Sequence, residues 1–184
     1  LSMWNESHRY YHNQDHLNDL LNQINENKSR FGSQKAYEKM IICALFHDCI
    51  YDPMRRDNEE KSAEFFLNCC QEKTKDILDI NQMIIDTKNH ESTESLSKEF
   101  NELDMNIVER GFDQLLEWER GIKQEYKGYG DYYKEGRLIF LESLLDKYPD
   151  RVDKILILVG VANQDARLLL KGFISLKDTS SLAV

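Results

Sequence analysis

Only two prolines, Pro53 and Pro149, and eight glycines interrupt a chain of 184 residues. These are the residue types that break helices, so their scarcity leaves long stretches that can be helical throughout. The apolar residues recur with a helical period. Leu17, Leu20, Leu21 and Ile24 mark a first helix. Ala36, Met40, Ile41, Ala44 and Leu45 mark a second, with Asp52-Pro53 as its expected stop. Further helices are expected over about 58–70 and 75–89, around Phe100, Leu103, Ile107 and Val108, and over about 112–127 and 131–147. The β-branched run Ile155–Val159 has no strand to pair with and is taken as a short buried helix. A last helix is expected over about 163–175, with a frayed dozen residues after it. The expectation is an all-α, single-domain helical bundle over 1–184, with its motif-bearing core at about 8–146 and C-terminal helices at 150–175 packing on it.

The formal net charge of -9 bounds the partners. Without a local basic patch, such a field disfavours a nucleic-acid groove or an anionic membrane surface. No apolar run approaches the roughly 20 residues of a membrane span, and no signal peptide opens the chain. Cys43, Cys49, Cys69 and Cys70 form no CxxC pair. They are expected to be buried or half-buried free thiols in a reducing cytoplasm. A homo-oligomer is left open.

Four residues carry the chemistry: His12, the doublet His47-Asp48, and Asp104. Asp104 lies between Leu103 and Ile107, one turn after Phe100, on or beside the face its helix buries. A buried carboxylate needs a cation, a metal or strong donors. Met40, Ala44, His47 and Tyr51 share one helical stripe, so His47 faces inward or into a cleft. Asp48 points about 100° away, and both reach one ion only if it sits in the wedge between them. Imidazole with two carboxylates suits a divalent ion with positions left for water and substrate. The competing reading is that each histidine is a hydrogen-bonded core residue.

The context of these residues resembles the HD superfamily of metal-dependent phosphohydrolases, in a poorly characterised branch. The segments that carry the resemblance are Arg9–His16, Ala44–Pro53, Asn58–Ala63, Thr87–His90 and Leu103–Asn106. Ile122–Tyr126 and Gly136-Arg137 fit the same branch. The resemblance implies an HD-type helical domain that hydrolyses a small phosphate monoester or nucleotide-like substrate by metal-activated water. It implies His12, His47, Asp48 and Asp104 as ligands of one divalent ion (Mn, Fe, Co, Ni, Zn or Mg), with room for a second. The branch usually shows Asp-x-Asp-Leu where this chain has Asp104-Met105-Asn106-Ile107. An amide is a poorer ligand for such an ion, which favours Asp104.

Around this set, Asp48 and Glu59 are the candidates for catalysis, Glu59 as general acid/base or orienter of water. Asp52 could do that work or simply be a turn residue before Pro53. Arg9, His16, Lys88, His90 and Arg137 are candidate substrate contacts, the arginines as bidentate phosphate clamps or as structural ion pairs. His90 could instead serve the second ion. His8 extends the spacing of His12 and His16 and is read as surface. The aromatic cluster Tyr126, Tyr129, Tyr132 and Tyr133 is either a lid or inter-helix packing. Two non-enzymatic functions stay in play: a metal-containing nucleotide-sensing or interaction module, and a helical interaction domain without metal.

Overall fold

The computed structural model describes residues 2–163. They form eight α-helices: α1 (Gln14–Glu26), α2 (Gln34–Phe46), α3 (Asn58–Cys69), α4 (Lys75–Asp86), α5 (Ser95–Asp104), α6 (Phe112–Glu125), α7 (Gly130–Lys147) and α8 (Val152–Asn163). Short 3-10 turns join or precede some of them, and there is no strand among the described residues. The all-α expectation holds, and the Ile155–Val159 run lies inside α8. The helix expected over 163–175 falls outside the described residues.

The chain divides into two compact units, Leu1–Asn106 and Ile107–Val184. In the first, α2 packs on α1, α3, α4 and α5, while α5 also meets α1 and α4. Its core holds Leu17, Leu20 and Ile24 of α1, Met40, Cys43 and Ala44 of α2, Ile80, Met83 and Ile84 of α4, and Phe100 and Leu103 of α5. In the second unit α8 packs on α6 and α7. Trp118, Ile122, Leu141, Leu144, Ile155 and Leu158 are among its buried residues.

Local chemistry sets the helix ends. Asn13 is the N-cap of α1, its side chain accepting from the backbone N–H of Asp15 (2.8 Å) and His16 (3.3 Å). Ser33 caps α2 through the Ala36 N–H, after Gly32 turns the chain at φ 70°. Two ends differ from expectation. The second helix stops at Phe46, with His47 as its C-cap, rather than at Asp52-Pro53. The fifth stops at Asp104 and continues as a 3-10 turn over Met105–Glu109, not as an α-helix through Val108. Both early stops fall at residues whose side chains enter the same polar cluster, described below. Cys43 and Cys49 are buried free thiols, as expected, whereas Cys69 is exposed.

Phe100 is fully buried, with its ring edge-on to His47 at 5.6 Å between centroids. Removing a buried Phe side chain costs the transfer energy of the ring and leaves a cavity. Phe100→Ala is therefore expected to destabilise the first unit by about 3–5 kcal/mol, measured by urea denaturation. A loss below about 1 kcal/mol would mean that this ring is not part of a packed core.

Candidate metal centre

Three elements of the first unit place the central side chains. Asn13 starts α1 so that His16 falls in its first turn. His47 closes α2, its N–H on the Cys43 carbonyl (2.8 Å) and its Nδ1 3.0 Å from the Ala44 carbonyl. A carbonyl can only accept, so Nδ1 carries the proton and Nε2 faces the opposite way. Asp104 ends α5.

Their polar atoms converge. One ligand atom from each of His16, His47 and Asp104 lies within 4.8 Å of the others. Nε2 of His16 is 3.4 Å from Nε2 of His47 and 3.2 Å from Oδ1 of Asp104. Nε2 of His47 is 3.6 Å from the same Oδ1 and 3.3 Å from Oδ2 of Asp48. Asp48 Oδ2 stands 4.0 Å from His16 Nε2. The second oxygen of Asp104 is 3.1 Å from His90 Nε2. His90 is presented from the turn after α4 and has φ 51°, left-handed and uncommon for a residue with a side chain.

The electrostatics follow from burial and sign. Burial alone would push the His47 imidazole down; Asp48 and Asp104 outweigh it and hold the pKa well above 6.5. Burial would raise both carboxyls, but His47 holds Asp48 and Asp104 below 3.8, with His12 aiding at Asp48 and His16 and His90 at Asp104. The two carboxylates carry two negative charges. One proton on His47 cancels half of that, and a divalent cation among neutral imidazoles would cancel all of it. Two ring nitrogens 3.4 Å apart beside two carboxylates are the donor set of an imidazole–carboxylate metal site, with the Ala44 carbonyl fixing the His47 tautomer from behind. The residues fit a divalent ion.

Other expected residues of the first unit surround this group. His12, expected as a ligand, stacks its ring on Tyr51 at 4.2 Å, lies 6.2 Å from the His16 ring and acts on the Asp48 carboxylate. His16, expected as a substrate contact, is in the group. Asn13 starts α1 after His12, so no helical stripe links His8, His12 and His16. Glu59, half-buried in the first turn of α3, has its carboxyl raised by burial and by the Asp48 charge, against Lys88. The Lys88 ammonium donates to Glu60 and to the Arg56 carbonyl (2.7 Å). Asp52 accepts from the Met54 N–H at 2.9 Å, so it is a turn residue.

Neither arginine has the setting of a phosphate clamp. Arg9 has a fully buried side chain that donates to Glu6 and to the carbonyls of His12, Asp48 and Cys49. Arg137, in the second unit, donates from Nε to buried Glu119 at 2.8 Å and lies over Trp118 and Phe140. Tyr133 donates to the same Glu119, and its ring is 5.5 Å from Tyr126. These two tyrosines pack within their unit.

Sequence reasoning assigned nothing to three further residues. Trp4 is buried, gives its indole N–H to the Leu45 carbonyl (3.2 Å) and packs 5.5 Å from the His47 ring. Asn58 pairs with the backbone of Asp52, and Ser62 with that of Ile50, which fastens the loop after the His-Asp doublet to α3. The Asn58–Ala63 block contains both, so the signal was present in the motif. Comparison with models of protein families, with curated proteins and with solved structures found no match.

The shifts set the pH dependence of the ion-free protein. His47 is raised in the fold, so its contribution is complete below about pH 6.5 and is lost as pH rises through the raised value. Asp48 and Asp104 are lowered, so theirs is complete above about pH 4 and is lost as pH falls through the lowered values. In chelator-treated protein, the stability advantage of wild type over His47→Asn is expected to shrink as pH is raised from about 6.5 into the alkaline range. Urea melts of both proteins across that range check this; a constant difference would contradict it.

Proposed function

We propose that the chain is a metal-dependent phosphohydrolase acting on a small phosphate monoester or nucleotide-like substrate, as its resemblance to the HD superfamily implies. The observation that carries the reading is the convergence of His16, His47 and Asp104, with Asp48 at its edge. A divalent ion held there would act as a Lewis acid, acidifying water and polarising a phosphoryl oxygen.

The chain's own residues have distinct tasks in this reading. His47 keeps Nε2 turned inward because the Ala44 carbonyl holds Nδ1–H. Asp104 stays ionised, with one oxygen toward His16 and His47 and the other on His90. Glu59 is the proton acceptor: its raised pKa brings it closer to working pH than an ordinary glutamate. Lys88, electrostatically coupled to Glu59 and paired with Glu60, is the cation offered to an anionic substrate.

A second reading is a metal-holding sensor or interaction module without turnover. One observation favours it: Arg9 and Arg137 are both committed to contacts inside their own units. No helix among the described residues is long and apolar enough to cross a membrane.

Untagged protein is expected to bind one of Mn, Co, Ni or Zn. Its apparent affinity should rise with pH, because His47 must release its proton to become a ligand. His16→Ala and Asp104→Asn should each weaken binding by more than the roughly 10–100-fold typical of partners outside the ligand shell. Turnover of a panel of phosphate monoesters should be lost with it. Elemental analysis, thermal shift with each ion and a phosphate-release assay test these outcomes. Failure of wild type to bind or be stabilised by any of the ions would remove both readings. Ion and nucleotide binding without phosphate release would select the second.

A further inference from the structure

We propose that Arg9 is the positioning residue of this centre, holding in register the two backbone segments that carry its imidazoles. The inference rests on the proposed metal centre for its consequence, and on the fold alone for its geometry.

Arg9 lies outside every helix, with a side chain of zero relative exposure. Its donors are spread over two distant parts of the chain. Nη1 donates to the His12 carbonyl at 2.9 Å and to the Asp48 carbonyl at 2.7 Å. Nη2 donates to the Cys49 carbonyl at 3.0 Å, and Nε to Glu6 at 2.9 Å. The first carbonyl belongs to the residue before Asn13, the cap that fixes the start of α1 and hence His16. The other two follow His47 directly, where α2 has ended. One guanidinium therefore ties the entrance of α1 to the exit of α2, and His16 Nε2 meets His47 Nε2 at 3.4 Å between those anchors.

The chemistry calls for an arginine. Three carbonyls and a carboxylate are acceptors in different directions, which the planar fork reaches at once and a lysine ammonium, a compact point charge, does not. The guanidinium also lies 5.7 Å from the Trp4 ring centre and 5.4 Å from that of Tyr51, a cation–π setting on two rings. Without it, carbonyls at both anchors would lose a charged donor.

The test uses the full chain in three variants: Arg9→Met, Arg9→Lys, and Arg137→Met as a control that removes a buried guanidinium from the second unit. Two readouts apply. In ion-free protein, the NOE between the imidazole protons of His16 and His47 reports register directly. With Co2+ added, the affinity and the visible d–d spectrum report the ligand set. Arg9→Met is expected to lose the NOE and to bind Co2+ about 10–100-fold more weakly, with an altered spectrum. Arg9→Lys should fall between Met and wild type, and Arg137→Met should match wild type in both readouts. A folded Arg9→Met with a wild-type NOE and Co2+ affinity would overturn the proposal. If Arg9→Met does not fold, Arg9→Lys decides: intermediate values support the proposal and wild-type values overturn it. If wild type binds no Co2+, the metal-centre reading fails, and the NOE in ion-free protein still decides the role of Arg9.

Discussion

Asp104 imposes the central constraint on the first unit. It ends α5 between Leu103 and Met105, both buried, and its own side chain is nearly sealed from water. An ionised carboxylate in that position is tolerable only with donors or cations on every accessible lone pair. Three histidines meet the demand, each from a different element: the first turn of α1, the end of α2 and the turn after α4. The left-handed backbone at His90 belongs to the same account, since it is the conformation in which that turn delivers a ring nitrogen to the outer oxygen of Asp104. Packing of α5 against α1, α2 and α4 and satisfaction of this carboxylate are one problem with one solution.

Much of this was legible in the sequence, because helical periodicity is a local property that a scarcity of Gly and Pro leaves undisturbed. Every helix expected within the described residues is present, and the burial of His47 followed from its phase against Met40 and Ala44. What was not legible was decided at helix ends. The stripe from Met40 to Tyr51 assumed a helix running up to Asp52-Pro53, but α2 stops at Phe46. The carbonyls of Asp48 and Cys49 go to Arg9, a residue some 40 positions away. No local pattern announces such a partner. The place of His16 in the group had a local signal, since Asn is among the strongest N-caps and Asn13 sets His16 in the first turn of α1.

The long cationic side chains show the same limit more sharply. An arginine in a motif block reads equally well as a phosphate clamp or as a buried staple, because the guanidinium suits carboxylate, phosphate and carbonyl alike. Which it becomes depends on which acceptors the fold leaves without donors. Arg9 takes carbonyls at two helix ends, the entrance of α1 and the exit of α2, and Arg137 takes Glu119 beside two aromatic rings. Lys88 differs because it is exposed, pairs with Glu60 and feels the charge of Glu59.

Asn106 is the departure from the expected Asp-x-Asp pattern, and the structure gives it a reason. Its amide N–H donates to the Gln23 carbonyl oxygen at 2.6 Å, and the Gln23 amide in turn donates to Asp19 at 2.8 Å. The chain of donors runs one way: Asp19 can only accept, so Gln23 must present its oxygen to position 106, which must then donate. A carboxylate at 106 has no proton to give and would add a negative charge close to Asp19 and two residues from Asp104. The amide keeps the end of α5 fastened to α1 while leaving the negative charge of the centre to Asp48 and Asp104. That is the charge a single divalent ion neutralises, and it is also why, without such an ion, the proton on His47 is held so firmly.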